Sequence, residues 1–186
     1  MDSEVLQAML PWMQERFANP GSVTHEAGRQ VRAHVEEAWE SIAHFFGVLP
    51  EELIITSGAT ESTNLALLGY CLHPQQKRRK IISVATEHQA VLGPLSRLKK
   101  SGFVVEWVPV HQHLRSSDAV NEATDFTGIS SAGIIDLNRL AEILDADTAF
   151  VSVMLANNEI GAIQPLREIA RLCERYEIPL HTDASQ

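Results

Sequence analysis

Residues 81–88 have the sequence Ile-Ile-Ser-Val-Ala-Thr-Glu-His, an apolar run of strand length that ends in three polar side chains. Similar runs end in polar groups at residues 149–159 and 178–186, and segments long enough for helices separate the three. Short apolar strands that alternate with helices are typical of a mostly parallel sheet covered on both faces. The sequence therefore predicts an α/β fold with three layers, α/β/α.

The same pattern predicts further strands and helices along the chain. Five strands are predicted, at residues 53–55, 81–85, 103–110, 149–155 and 178–182. Apolar residues recur at three- and four-residue steps from Val31 to Phe46, and this helix should end at Gly47, because glycine suits the left-handed position after a helix. We assign residues 1–47 to an N-terminal helical segment of one partial domain, residues 1–186, and the polar stretch 111–133 to an exposed loop insertion.

Composition excludes several classes of function. The chain of 186 residues is 45% hydrophobic and has a net charge of −9, so it lacks the basic surface that binds nucleic acid. No apolar run approaches the roughly 20 residues of a membrane span, and the first residues do not resemble a signal peptide. Cys71 and Cys173 form neither a disulfide framework nor a metal pair. We expect a soluble protein of the reducing cytoplasm that does not associate with membranes.

Polar groups lie directly after four of the five predicted strands. In open α/β sheets, ligands bind outside the carboxyl ends of the strands. The groups are Thr56–Glu61, Thr86–His88, Asn157–Glu159 and Asp183–Gln186. The first places small residues where a strand turns into a helix, and free backbone N–H groups there favour an anion such as phosphate. A plain helix cap by Ser57 or Thr60 is the alternative interpretation.

Two ionisable residues stand out at these strand ends. His88 begins a helix, where an imidazole could stack on an aromatic ring or shuttle protons, or could simply be a partly exposed helix residue. Asp183 comes directly after an apolar strand, a costly place for a carboxylate unless a partner such as a protonated cofactor nitrogen meets it. His111 with His113, and His181 with Asp183, have the chemistry of metal ligands, but no third ligand is evident and we predict no metal site.

Taken together and in order, these segments resemble the class V aminotransferase family of fold-type I pyridoxal-phosphate enzymes, specifically cysteine desulfurases of the NifS and IscS kind. The motifs that carry the resemblance are residues 17–25, 56–64, 87–91, 157–161 and 181–186. The resemblance implies a pyridoxal 5'-phosphate cofactor and conversion of L-cysteine to L-alanine, with sulfur passed to an enzyme cysteine as a persulfide. It also implies a homodimer and a sulfur-acceptor protein, with iron–sulfur cluster assembly and thiolation of another molecule both open as destinations.

The resemblance also implies roles at one cofactor site. Ala59 and Thr60 would bind the cofactor phosphate at the start of a helix. His88 would stack on the pyridine ring and assist proton transfer, which makes it the implied catalytic residue of this chain.

Three further residues complete the implied site. Asp183 would pair with the ring nitrogen and keep it protonated while a substrate carbanion forms. Asn158 would approach the substrate side, and Gln186 the phenolic oxygen.

The sequence departs from the family at its carboxyl end. The family's Schiff-base lysine belongs to a Ser-x-His-Lys segment that would lie beyond Gln186, and its nucleophilic cysteine belongs to a C-terminal small domain. The lysines present, Lys77, Lys80, Lys99 and Lys100, are expected to be solvated. We therefore expect an N-terminal fragment that is inactive alone. A related selenocysteine lyase or aminotransferase, or a non-catalytic module, remains open.

Overall fold

The computed structural model describes residues 1–112 and 132–186. The chain divides into two compact units, residues 1–55 and 56–186. Most of the predicted insertion at 111–133 lies outside the described residues. None of the described helices is both long and apolar enough to cross a membrane.

The first unit is helical. It contains α1 (Ser3–Gln14), α2 (Glu26–Phe46) and a 3₁₀ turn (Pro50–Glu52). Helix α2 begins where His25 Nδ1 accepts a hydrogen bond from Gly28 N, at 2.9 Å. It ends at Gly47, whose φ of 67° is left-handed, as the sequence predicts. Trp39 Nε1 donates to the carbonyl oxygen of Pro50, at 2.8 Å, and ties the 3₁₀ turn to α2.

The predicted strand at residues 53–55 is wrong. The backbone is extended at Leu53, but no described strand pairs with this segment. The side chains of Ile54 and Ile55 are 69% and 65% exposed. Apolar β-branched residues favour extended backbone, yet a strand also needs a neighbour to complete its hydrogen-bond ladder.

The second unit is a parallel α/β sheet. Its elements are α3 (Ala59–Cys71), β1 (Lys80–Val84), α4 (Gln89–Lys100), β2 (Val104–Val108), α5 (Leu137–Ile143), β3 (Thr148–Ser152), α6 (Leu166–Glu174) and β4 (Leu180–His181). The four strands are in the order β2-β1-β3-β4, and every neighbouring pair is parallel. Helical crossovers make this possible, because parallel strands cannot be joined by a short hairpin. The other four predicted strands are therefore present. β1 has the predicted length but begins one residue earlier, and the other three are shorter than expected.

Helices cover both faces of the sheet. Alternate residues of a strand point to opposite faces, so Ile81 packs in one core cluster with Leu67 of α3 and Leu95 of α4. Its neighbour Ile82 packs in a second cluster with Leu140 of α5 and Ile169 of α6. All five residues of β1 and of β3 are buried. The three-layer α/β/α prediction is confirmed.

Two residues of the basic cluster at residues 77–80, Arg78 and Lys80, form bonds inside the fold. Arg78 Nη1 donates to the carbonyl oxygens of Thr148 and Glu177, both at 3.2 Å. Lys80 is only 8% exposed, and its Nζ pairs with Asp145 at 2.6 Å. This ion pair lowers the pKa of the Asp145 carboxyl. The expectation of a solvated Lys80 is therefore wrong, because its Nζ donates to Asp145 and to the carbonyl oxygen of Ile143 inside the fold.

Candidate active site

The reversal of strand order creates a crevice beside β1. The chain leaves β1 through α4 toward β2, whereas it leaves β3 through α6 toward β4, on the other face of the sheet. Neighbouring strands whose connections diverge in this way leave room for a ligand at their carboxyl ends. A pocket of about 200 Å³ lies there. Its lining includes all six residues that the resemblance implies: Ala59, Thr60, His88, Asn158, Asp183 and Gln186.

One wall of the pocket is the start of α3. None of the described side chains caps this helix at Gly58, and its first backbone bond runs from Ser62 N to Gly58 O, at 3.1 Å. Ser57 donates instead to Glu61 Oε2, through N at 2.7 Å and Oγ at 2.6 Å, which lowers the pKa of Glu61. The alternative of a cap by Ser57 or Thr60 is therefore wrong. The first-turn N–H groups remain available to an anion.

His88 lies at the N-cap of α4. Its Nδ1 accepts a hydrogen bond from Ala90 N, at 3.1 Å, and the side chain is exposed toward the pocket. Since Nδ1 is the acceptor, a neutral imidazole carries its proton on Nε2. The hydrogen bond to Nδ1 orients the ring, and none of the described residues binds Nε2, which can therefore donate its proton to a ligand.

Asp183 lies just beyond β4 and is half-buried. Its Oδ1 accepts from Ser185 N at 3.1 Å and from Ser185 Oγ at 2.6 Å. Its backbone carbonyl accepts from Leu155 N at 2.9 Å, which anchors the residue to the segment after β3. The described residues give Oδ2 no hydrogen bond, so this oxygen can meet a cationic ligand group.

Sequence reasoning missed Glu87, which is buried beside the pocket. The residue is only 6% exposed, and its Oε1 accepts from Met154 N at 2.7 Å. Burial raises the pKa of Glu87 to about 7, and the nearby negative charge of Asp183 acts in the same direction. The hydrogen bond from Met154 N acts in the opposite direction, because it stabilises the carboxylate. The available signal was a carboxylate one residue before a candidate catalytic histidine. The sequence did not indicate, however, whether this side chain would be buried or exposed.

Asn157 was missed for a similar reason. Its side chain is 8% exposed, and its Nδ2 donates to the carbonyl oxygen of Thr86 at 2.8 Å. Its Oδ1 accepts from Glu159 N and Ile160 N, both at 2.9 Å. The first asparagine of the pair thus holds the loop, while the second, Asn158, lines the pocket.

His181 is the last residue of β4, two residues before Asp183. Its Nδ1 and Ser152 Oγ share a hydrogen bond of 2.9 Å. Burial lowers the pKa of His181, although the charge of Asp183 acts in the opposite direction. The parts of the chain that the structure describes contain no group of three His, Cys, Asp or Glu side chains that could hold a metal ion, and His113 lies outside them.

The cysteines and lysines lie away from the pocket. Burial raises the pKa of Cys71 to about 12 and that of Cys173 to about 11, so neither thiol forms a thiolate near neutral pH. All four lysines lie within the described residues, and none lines the pocket. The pocket of this chain therefore offers noncovalent contacts to a ligand.

Comparison with known proteins identifies the family. The family model described as Aminotransferase class-V matches residues 1–125 and 117–186. The mitochondrial cysteine desulfurase of Drosophila melanogaster is 39% identical over 186 residues, which are 100% of this chain and 36% of that protein. The chain belongs to the class V aminotransferase family.

Solved structures share the fold. A NifS-like protein superimposes with a TM-score of 0.84 at 34% identity, over 100% of this chain and 46% of that one. SspA in complex with cysteine superimposes with a TM-score of 0.79 at 29% identity, over 100% of this chain and 48% of that one. The chain therefore spans less than half the length of each of these proteins.

Proposed function

We propose that this chain forms the cofactor-binding part of a pyridoxal-phosphate-dependent cysteine desulfurase. The reaction converts L-cysteine to L-alanine and passes the sulfur to an enzyme cysteine as a persulfide. The observation that carries the proposal is the meeting of six implied residues, contributed by four separate segments, in one pocket at the carboxyl ends of the strands. The cysteine desulfurase relative and the cysteine complex of SspA support the choice of substrate.

The pocket fits the cofactor at both of its charged ends. The uncapped first turn of α3 presents N–H groups from Ala59 and Thr60, the donors that a phosphate ester requires. At the other end, Asp183 offers an oxygen without a hydrogen bond from the described residues, which suits a protonated ring nitrogen. When bound, pyridoxal phosphate supplies an electron sink for the substrate carbanion.

The side chains around the pocket would then divide the work. Asp183, held by Ser185, would keep the proton on the ring nitrogen. His88 would lie against the ring and move a proton at Nε2, because its Nδ1 is engaged by a backbone N–H. Asn158 and Gln186 would orient the substrate side and the phenolic oxygen, respectively.

We extend the proposal to partners and location. Two buried free thiols suit a reducing compartment, so we propose a cytoplasmic protein. By analogy with the family, we propose that it acts as a homodimer and passes sulfur to an acceptor protein, with iron–sulfur cluster assembly as one destination.

Product analysis tests this function. The protein expressed from its complete reading frame would be incubated with pyridoxal phosphate, L-cysteine and a thiol reductant. We expect L-alanine and sulfide in equal amounts, and a loss of at least about 100-fold in kcat/KM for Asp183→Asn, because the ring nitrogen loses its anionic partner. A keto-acid product would indicate an aminotransferase, turnover of L-selenocysteine alone a selenocysteine lyase, and no turnover a non-catalytic module.

A further inference from the structure

Two loops contribute residues to the lining of the pocket, and the described strand pairing does not join them. The register of β1 with β3 ends at the pair Ser83 and Ser152. Beyond it, residues 85–88 carry His88 and residues 153–158 carry Asn158. Backbone bonds tie the second loop to the β4 side, through Val153 N to the His181 carbonyl oxygen at 3.0 Å, but none of the described backbone bonds ties it to the first loop.

Two side chains span this gap. Glu87 of the first loop accepts from the backbone N–H of Met154 in the second, at 2.7 Å. In the other direction, Asn157 of the second loop donates to the carbonyl oxygen of Thr86 in the first, at 2.8 Å. The two bonds thus continue the hydrogen bonding of the sheet past the point where its ladder stops.

We propose that Glu87 and Asn157 are positioning residues that hold His88 and Asn158 at a fixed separation across the pocket. The inference rests on the proposed function, because it assigns to these two residues the shape that cofactor binding requires. Neither side chain is among the pocket's lining residues, so they act through the residues beside them.

Burial makes both bonds effective. Glu87 and Asn157 are 6% and 8% exposed, so water does not compete well for either contact. Asn157 also accepts from the backbone N–H groups of Glu159 and Ile160, and this turn fixes the backbone on the far side of Asn158. Asn158 is therefore held from both directions.

The role of Glu87 requires an acceptor and not a charge. Only Oε1 makes a hydrogen bond, whereas Oε2 is buried with no partner among the described residues. A neutral acid or an amide retains the acceptor oxygen. Glutamine at this position should therefore preserve the contact to Met154 N, and alanine should remove it.

The test compares two ligands on the same variants. Pyridoxal phosphate would reach from α3 to both loops, whereas inorganic phosphate needs only the start of α3. For Glu87→Ala and Asn157→Ala we expect a loss of roughly tenfold or more in affinity for pyridoxal phosphate, and an unchanged affinity for inorganic phosphate by phosphorus NMR. For Glu87→Gln we expect an affinity for pyridoxal phosphate within about threefold of the unsubstituted chain.

A matched control separates positioning from stability. Gln164 is 4% exposed and makes two comparable bonds, from Ile135 N at 3.0 Å and to the Gly133 carbonyl oxygen at 2.8 Å, outside the lining of the pocket. Gln164→Ala should lower the midpoint of urea unfolding and leave the affinity for pyridoxal phosphate unchanged.

Equal affinities for pyridoxal phosphate in all variants, or equal losses of affinity for both ligands, would overturn this inference and leave the proposed function standing. If the unsubstituted chain binds inorganic phosphate but not pyridoxal phosphate, the proposed function fails, and the inference fails with it.

Discussion

Replacing Glu87 with glutamine should remove a pH dependence of folding stability. The residue is 6% exposed, its carboxyl makes one hydrogen bond within the described residues, and burial raises its pKa from 4.5 to about 7. Between these two values the folded chain keeps a proton that the unfolded chain has released. The free energy of unfolding therefore falls as pH rises through this window. At about 1.4 kcal/mol for each pH unit, the loss attributable to Glu87 is about 3 kcal/mol.

Urea unfolding at pH 5 and pH 8 measures this effect. The chain with Glu87 should lose roughly 2–3 kcal/mol more than Glu87→Gln between the two conditions. His181 contributes with the opposite sign, since burial lowers its pKa and stability then rises with pH, but it is present in both proteins and cancels in the comparison. An identical pH dependence in the two proteins would refute the reasoning, because it would mean that the Glu87 carboxyl ionises as it does in water.

Two substitutions and one labelling experiment probe the fold. Lys80→Ala should lower the free energy of unfolding by about 1–3 kcal/mol in urea titrations, because the buried stem and the bond to Asp145 are lost together. An unchanged unfolding midpoint would contradict the burial of Lys80. Cys71 and Cys173 should react with a thiol reagent at pH 8 only after denaturation, since their pKa values are about 12 and 11, and rapid labelling of the native chain would be inconsistent with this. Gly47→Ala should cost about 1 kcal/mol by the same unfolding assay, because the left-handed backbone at φ 67° disfavours a Cβ, and no loss would argue against that helix end.

The sequence predicted those parts of the fold that depend on local pattern. The apolar runs of β1 and β3 are buried on both faces, so they appear in the sequence as continuous strands. The polar residues that come after them meet in one pocket because the carboxyl ends of parallel strands lie at the same edge. Gly47 marks the end of α2 for an equally local reason.

Features that depend on distant contacts could not be predicted. Residues 53–55 have strand-forming side chains, but only pairing makes a strand. Lys80 is buried because Asp145 meets it from a point 65 residues away in the sequence. The bond from Met154 N to Glu87 spans 67 residues, and no spacing rule connects the two. The family resemblance implied a role for His88 but none for the neighbouring Glu87.

Binding of pyridoxal phosphate to this chain tests the central claim most directly. The chain, Asp183→Asn and the control Asp136→Asn would each be titrated with the cofactor and monitored by the change in cofactor absorbance. Asp136 caps α5 and does not line the pocket. The account predicts saturable binding of one cofactor per chain, unchanged in Asp136→Asn and weakened at least about tenfold in Asp183→Asn. Absence of saturable binding, or equal affinity in all three proteins, would contradict it.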